Sequence, residues 1–305
     1  MPRTVNIGTV QLPAWTEGET AQARKTWHLD QIEHWLHVAG QAGNDIVCFG
    51  ETATTYGIQA AADDTVIFED AYQGPTAQLA ARLARTYAMF VVLPIAARYQ
   101  GRLQNVALVF DRRGDIVGHY AKVHPTRIEM KQGIEPGDTF PVFDLDFGRI
   151  GICICHDLSF PESTRVLALE GAELIFWPHW WSGWGEELCD AVIKSRAIDN
   201  AAYLAPVSFG QPDGRAWRPG LVLGNSGVVG PDGLTLASAG RYVGLAQVTV
   251  DLDKPRIAHC FGVAEETVFR ESMLAGRRPD AYGAITDVSR VPAAPRNGIP
   301  VAAGR

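Results

Sequence analysis

The chain has 305 residues, 47% of them hydrophobic, which is enough to bury a large core. Its 27 basic and 34 acidic side chains give a net charge of −7 without any basic run, so we expect no nucleic-acid partner. No apolar stretch reaches the roughly 18 residues that cross a membrane, and the first residues lack a signal-peptide pattern, so we expect a cytoplasmic protein without membrane contact.

Strand and helix patterns alternate along the whole chain. Residues 4–10 have a strand pattern, 17–42 an amphipathic helix pattern, and a short buried strand that ends at Glu51 comes next. The later predicted elements are a helix near 73–87, strands at 90–99, 105–110, 115–121, 141–146 and 149–154, a helix at 161–171, a strand at 173–178, a helix near 186–200, and strands at 202–209, 221–229, 234–239 and 245–250.

This alternation is typical of an α/β protein. About a dozen strands exceed what one open twisted sheet carries, so we expect two stacked sheets with helices outside, a four-layer αββα sandwich. No linker divides the chain and no repeat of fixed period appears, which predicts one domain over residues 1–280. Residues 281–305 are rich in Pro, Ala and Gly, and we expect a tail that is either disordered or docked on another subunit.

The stretch RIGICICHDLSFPE at residues 149–162 changes character at Cys155, where an apolar strand gives way to polar residues. Pro161 and Glu162 suit the first turn of a helix, so Cys155 is predicted at an exposed strand-to-helix elbow, where backbone N–H groups can lower the pKa of its thiol. Cys153 is predicted on the same face but in the core. Taken alone, a cysteine in an apolar strand is more often a packing residue than a nucleophile, and five cysteines in a long chain suit reduced thiols.

A cysteine nucleophile needs a base, because a free thiol is mostly protonated at neutral pH. His156 is a poor partner, since neighbours on an extended chain point to opposite faces. Glu51 and Lys122 both stand where buried strands end. Each alone would more often be a surface residue, but three reactive side chains at three strand ends together indicate a site.

Other polar patterns are better explained without chemistry. His34 and His37 lie three residues apart on the first helix, which also carries His28, but no Cys or acid completes a metal-ligand set. Ser226 lies in GNSG, which is not the GxSxG elbow, and no glycine-rich phosphate loop precedes a helix. We therefore expect no metal site and no nucleotide cofactor.

The chain resembles the nitrilase superfamily of carbon–nitrogen hydrolases, whose members have a Glu after an early strand, a Tyr-x-Lys-x-His segment, and a Cys before Asp and Phe-Pro-Glu. The matching residues here are Glu51; Tyr120, Lys122 and His124; and Cys155, Asp157, Phe160, Pro161 and Glu162. Further matches in the family's order are EPGDTF at 135–140, Arg165, GAELIFWP ending at Pro178, RAIDN at 196–200, GNSGVVGPDG at 224–233 and RRPDAYG at 277–283.

The resemblance implies an αββα sandwich that pairs into homodimers or higher homo-oligomers, and a hydrolytic mechanism without a cofactor. In that mechanism Glu51 takes the thiol proton and Cys155 attacks an amide-type carbonyl carbon. Lys122 and the backbone N–H of His156 then hold the oxyanion.

Many members of the superfamily have a second glutamate before the Pro-Gly-Asp segment, which orients the lysine and the substrate. Glu129 is our assignment, although its spacing to Pro136 is one residue longer than usual, and Glu135 is the competing choice. Asp199 stands where the family has Glu, which affects a structural detail and not the chemistry.

The sequence Cys-His-Asp at 155–157 is closer to the amidase and carbamoylase branches than to true nitrilases, which carry Cys-Trp-Glu. The resemblance thus implies hydrolysis of a small linear amide or N-carbamoyl compound, with a nitrile as the alternative substrate. No Arg directly follows Asp157, which disfavours an amino-acid-derived substrate. A hypothesis of a different kind of function is that the protein is a catalytically inactive member of the family, which acts as a subunit of an assembly or binds a partner.

The segment HWWSGWGEE at 179–187 follows a strand end on the Cys155 side, and its aromatic side chains are candidates for the substrate pocket. Aromatic packing under a helix or at a dimer contact is the equally weighted alternative. The candidates are His179, Trp180, Trp181 and Trp184.

Overall fold

The computed structural model describes residues 2–58, 64, 67–181, 186–211, 224–254, 257–259 and 266–290. The elements in chain order are β1 (Thr4–Pro13), α1 (Ala21–Gln41), β2 (Ile46–Phe49), α2 (Pro75–Tyr87), β3 (Phe90–Tyr99), β4 (Arg102–Phe110), β5 (Ile116–Ala121), α3 (Arg127–Lys131), β6 (Val142–Asp144), β7 (Arg149–Ile152), α4 (Pro161–Leu169), β8 (Leu174–Pro178), α5 (Glu186–Asn200), β9 (Tyr203–Val207), β10 (Phe209–Gly210), β11 (Gly227–Val229), β12 (Thr235–Ser238), β13 (Gly244–Asp251), β14 (Ile257–His259), β15 (Glu266–Val268), α6 (Phe269–Ala275) and α7 (Gly283–Thr286). Short 3-10 turns lie at Cys155–Ser159, Pro279–Ala281 and Val288–Arg290.

Two mixed sheets carry the fold. The first has the order β10-β1-β2-β3-β4-β5, with β13 antiparallel to β1, and the second has the order β12-β11-β9-β8-β7-β6. Strands β1, β2 and β3 are parallel to one another, as are β7, β8 and β9. Parallel neighbours end at the same edge of a sheet, which is where side chains from distant segments can meet.

Apolar side chains form three layers of core. One cluster lies between the two sheets and includes Ile46, Ile152 and Phe176. A second packs helices α1 and α2 on the first sheet, and a third packs α4 and α5 on the second sheet. The four-layer αββα sandwich predicted from the element pattern is therefore confirmed.

Local sequence signals set the helix ends. The helix predicted over 17–42 begins at Ala21, because the Thr20 side chain caps it by accepting a hydrogen bond from the Ala23 N–H at 3.1 Å. Pro75 and Pro161 occupy the first turns of α2 and α4, where the missing N–H of proline leaves no partner unsatisfied.

One histidine of helix α1 lies in the core. His28 is fully buried, and its Nε2 lies 3.0 Å from the carbonyl oxygen of Tyr56. Burial lowers the pKa of His28 to about 4, so the imidazole is neutral and donates to that carbonyl. Residues 51–57 are thereby anchored to the helix.

Some expectations lie outside these observations. Residues 221–223 of the predicted strand 221–229 and residues 291–305 of the tail lie outside the described part of the chain. The single domain over 1–280, the homodimer and the cytoplasmic location stay predictions. Among the helices that the structure describes, none combines the length and apolar character needed to cross a bilayer.

Candidate active site

Cys155 lies on the elbow between β7 and α4, in a left-handed backbone conformation with φ of 47°. This conformation costs a non-glycine residue about 1–2 kcal/mol, and the surrounding structure must hold it in place. Trp177 does so in part, because its indole N–H donates to the Cys155 carbonyl oxygen at 2.9 Å.

The left-handed turn breaks the alternation of the strand. Cys153 packs in the cluster under α4 and α5, whereas Cys155 contacts the core between the sheets. The strand period had predicted that the two cysteines lie on the same face of the strand. The structure shows that they lie on opposite faces. Cys155 is also half-buried, not exposed, since it lies in the wall of a cavity.

That cavity has a volume of about 540 Å³, and the three side chains predicted from separate strand ends all line it. Glu51 follows β2, Lys122 follows β5 and Cys155 follows β7. Glu129, from the short helix α3, lines the same cavity. The sheet edges thus bring together a thiol, an ammonium and two carboxylates from positions between 51 and 155 of the sequence.

Lys122 bridges the two carboxylates. Its Nζ donates to Glu51 Oε1 at 2.8 Å and to Glu129 Oε1 and Oε2 at 3.0 and 2.8 Å. The side chain is 1% exposed, and burial by itself would disfavour the ammonium. The negative charges of Glu51 and Glu129 outweigh that burial and raise the pKa of Lys122. Lys122 is therefore a fixed cation beside the thiol.

Asn105 completes this arrangement and was given no role by the sequence analysis. Its Nδ2 donates to Glu51 Oε1 at 2.9 Å and to Glu129 Oε1 at 2.8 Å, two of the three oxygens that Lys122 contacts. The other oxygen of Glu51, Oε2, accepts the backbone N–H of Trp180 at 2.9 Å. The sequence signal that could have indicated Asn105 was its polar side chain within the buried strand β4.

The structure separates the two candidates for the second acid. Glu129 forms a capping box with Thr126, whose N–H donates to Glu129 Oε2 at 2.7 Å. Burial opposes ionisation of Glu129, but Lys122, Asn105 and Thr126 together lower its pKa. Glu135 instead pairs with Arg102 at 3.0 Å on the surface.

The Cys155 thiol does not have the lowered pKa that its elbow position predicted. Burial raises the pKa of Cys155 well above its usual value, and the charge of Glu51 raises it further. Lys122 and the Trp180 N–H act in the opposite direction but do not prevail. The resting thiol is therefore neutral, and any nucleophilic step needs a base within the cavity.

Asp157 ties the Lys122 segment to the Cys155 segment. It is fully buried and accepts the Tyr120 hydroxyl at 2.6 Å and the Ile154 N–H at 2.8 Å. It also accepts the backbone N–H and the Nδ1 of His124, at 3.0 and 2.8 Å. These bonds link residues on either side of Lys122 to the residue before Cys155.

The His156 side chain points away from the cavity wall. Its Nδ1 donates to the His124 carbonyl oxygen at 3.2 Å, and burial lowers its pKa. This agrees with its exclusion as a base. The role of the His156 backbone N–H at an oxyanion stays a prediction.

Of the aromatic candidates within the described residues, only Trp180 lines the Cys155 cavity, where its ring stacks on Tyr56 at 5.7 Å. His179 and Trp181 do not line it, which corrects our expectation. Both pack against Trp177, at 3.8 and 5.0 Å between ring centroids, and burial lowers the pKa of His179 to about 3. They point away because the strand period of β8 continues past Pro178. Trp184 lies outside the described residues.

Acidic, histidine and cysteine side chains do not form a group that could hold a metal ion anywhere in the described ranges. The chemistry available at this site is that of a thiol, two carboxylates, an ammonium and backbone N–H groups. Such a set can form a covalent acyl intermediate, move its proton and stabilise its oxyanion.

Known proteins with similar sequences indicate the family of this chain. Residues 6–256 match the family model described as carbon-nitrogen hydrolase. A probable nitrilase of Schizosaccharomyces pombe is 27% identical over 232 residues, which cover 74% of this chain and 83% of that protein. An omega-amidase of Bos taurus is 27% identical over 239 residues, which cover 72% of this chain and 81% of that protein.

Solved structures of the nitrilase superfamily share the fold. A double mutant of the amidase from Nesterenkonia sp. AN1, in complex with acrylamide, has a TM-score of 0.72 at 20% identity, covering 93% of this chain and 97% of that chain. Nit3 of Saccharomyces cerevisiae, a member of branch 10 of the superfamily, has a TM-score of 0.68 at 20% identity, covering 81% of this chain and 90% of that chain. The chain therefore belongs to the carbon–nitrogen hydrolase family and is a hydrolase.

Proposed function

We propose that the protein is a thiol amidase that cleaves a small linear amide or N-carbamoyl compound, with Cys155 as the nucleophile. The observation that carries this proposal is the shared cavity, in which a neutral thiol lies beside a buried ammonium held between two carboxylates. A surface cysteine would need no such neighbours. The relatives that bear the name omega-amidase support the same class of reaction.

The first half of the reaction forms a thioester. Glu51 takes the thiol proton on Oε2, and the Cys155 sulfur attacks the carbonyl carbon, so that the carbonyl oxygen becomes an oxyanion. Lys122 and the His156 N–H stabilise that oxyanion. Collapse of the intermediate breaks the C–N bond, and protonated Glu51 gives its proton to the leaving nitrogen, which departs as ammonia or an amine.

The second half hydrolyses the thioester. Glu51 removes a proton from water, whose oxygen attacks the thioester carbon, and a second oxyanion forms. The C–S bond then breaks, the acid leaves and the thiol regains its proton.

Proton transfer and oxyanion binding are coupled at Lys122. In the resting state its three N–H groups are all donated to Glu51 and Glu129. Once Glu51 is protonated it attracts the ammonium less, which frees one N–H for the oxyanion. The donor thus becomes available when the negative charge develops.

The cavity wall favours a substrate with an uncharged acyl group. Among the residues described there, the only cation is Lys122, and it is neutralised by two carboxylates. Most of the remaining wall is apolar, with Tyr56, Ile58, Phe68, Ile134 and Trp180. A substrate carboxylate would gain no ion pair from these residues. Acrylamide, the ligand of the Nesterenkonia complex, is a small uncharged amide.

Ammonia release from a panel of uncharged amides, anionic amides, N-carbamoyl compounds and nitriles tests the proposal. We expect turnover of uncharged amides or carbamoyl compounds, a hydroxamate when hydroxylamine traps the thioester, and neither product with Cys155→Ala. Cys153→Ala is the matched control, since Cys153 is buried two residues away, and it should stay active. Turnover of nitriles alone would favour the nitrilase alternative. No turnover and no trapped acyl group would favour the idle assembly member.

A further inference from the structure

We propose that Asn105 is a positioning residue that sets which oxygen of Glu51 acts as the base, an inference that rests on the proposed function. The side chain is 1% exposed and lies in β4 with its Nδ2 between two carboxylates. Its backbone also contributes, because its carbonyl oxygen accepts the Lys122 N–H at 2.9 Å. One residue thus contacts both acids and the lysine segment.

Four atoms form a closed ring at this point. The nitrogens are Asn105 Nδ2 and Lys122 Nζ, and the oxygens are Glu51 Oε1 and Glu129 Oε1, with the four N–O distances at 2.8, 2.8, 2.9 and 3.0 Å. Each oxygen accepts from both nitrogens. The two carboxylates carry two negative charges against one positive charge, so the amide dipole of Asn105 reduces their mutual repulsion.

The ring leaves only one oxygen of Glu51 available for a proton. A carboxylate oxygen has two lone pairs, and those of Oε1 are both taken by Lys122 and Asn105. Oε2 accepts one bond, from the Trp180 N–H, and so keeps one lone pair, in the cavity that Cys155 also lines. That lone pair is the one available for the thiol proton.

Asn105 also holds Glu51 when Lys122 turns toward the oxyanion. At that moment Lys122 no longer restrains Oε1, and Asn105 is the remaining side-chain donor to it among the described residues. Without Asn105 the carboxylate can rotate, and the two acids face each other with one donor fewer. Proton transfer then slows, while substrate binding changes little.

The test compares Asn105→Ala with Asn200→Ala. Asn200 is a matched control because it is also 1% exposed and its Nδ2 also donates two hydrogen bonds, to Thr164 Oγ1 at 3.1 Å and to the Arg196 carbonyl at 2.9 Å. Both variants lose buried bonds, but only the first loses bonds to carboxylates. Thermal unfolding reports the structural loss in each.

Two activity measurements distinguish positioning from stability. For Asn105→Ala we expect kcat to fall about 10- to 100-fold, as for loss of bonds to charged groups, with KM within about threefold, and the acidic limb of kcat/KM to move to higher pH by about one unit. Asn200→Ala should keep the wild-type kcat and pH profile. An Asn105→Ala profile that overlays the wild type, with activity lost only in proportion to unfolded protein, would overturn the proposal.

A third measurement does not depend on turnover. The rate at which iodoacetamide alkylates Cys155, followed by mass spectrometry against pH, reports proton removal from the thiol. Asn105→Ala should slow this rate about tenfold at neutral pH, and Asn200→Ala should not. If the wild type hydrolyses nothing in the substrate panel, the proposed function fails while this comparison is still informative. Equal alkylation rates in the two variants would refute the positioning role.

Discussion

Substitution of Lys122 by Met removes the ammonium between the two carboxylates while keeping most of the side-chain volume. The lysine is 1% exposed, and its Nζ makes three hydrogen bonds of 3.0 Å or less to Glu51 and Glu129. Loss of an oxyanion donor typically lowers kcat about 100- to 1,000-fold. Removal of one partner from a buried ion pair typically costs about 3–5 kcal/mol of stability, which for a domain of this size lowers Tm by roughly 5–10 °C.

The stability loss should depend on pH with a defined sign. In the wild type the pKa of Glu129 is lowered: burial opposes ionisation, but Lys122 prevails, so this carboxylate stabilises the fold above its unfolded pKa and less as the pH falls. In Lys122→Met burial dominates, the pKa of Glu129 rises, and its ionised form destabilises the fold. The Tm difference between wild type and variant should therefore widen from pH 5 to pH 8.

Thermal melts at pH 5 and pH 8 and ammonia release at saturating substrate measure both effects. Lys25→Met is the matched control, since Lys25 is also nearly fully buried and its Nζ lies 3.4 Å from Glu69, yet it does not line the Cys155 cavity. It should keep kcat within about threefold. A Lys122→Met protein with kcat within tenfold of the wild type, or a Tm difference that does not grow with pH, would refute this account of the site.

Three further predictions follow from burial. Burial lowers the pKa of His28 from 6.5 to about 4, so the unfolded chain binds more protons than the folded chain between these pH values. The free energy of unfolding of the wild type should therefore fall by about 2 kcal/mol from pH 7.5 to pH 5, and that of His28→Gln should not. Urea unfolding at the two pH values measures this difference. Iodoacetamide should label half-buried Cys155 faster than the buried cysteines Cys48, Cys153 and Cys189, at a rate that rises with pH. Uniform labelling of the folded protein would contradict the position of Cys155 in the cavity wall. Asp157→Asn should cost about 2–4 kcal/mol in urea unfolding and lower kcat, because a buried acceptor of four hydrogen bonds is replaced by a group that must also donate; an unchanged unfolding midpoint would show that these bonds do not hold the segments together.

The fold was largely predictable because local patterns record burial. Alternation and apolar runs identified the strands, and their number required two sheets, which the structure confirms. The same patterns placed Glu51, Lys122 and Cys155 at strand ends, and the structure brings all three into one cavity. Position at a strand end can be predicted from local sequence. Because neighbouring parallel strands end at the same edge of a sheet, residues at those ends lie close together.

The predictions that failed concerned the directions of side chains and a pKa that depends on several groups distant in sequence. One left-handed residue at Cys155 reversed the face expected from the strand period, and His179 and Trp181 continued the period of β8 away from the cavity. The lowered thiol pKa predicted from the elbow was wrong, because burial and the charge of Glu51 outweigh Lys122 and the Trp180 N–H.

The sequence by itself determined the family and the sandwich, and it predicted the side chains proposed to react, since each is recorded in residue types and their spacing. Only the tertiary structure decided that Asn105 joins the two acids, that Glu129 and not Glu135 contacts Lys122, and that the resting thiol is neutral. A hydrogen bond requires atoms within about 3 Å and in line. Separation along the chain does not specify that distance, whereas the register and twist of packed strands do.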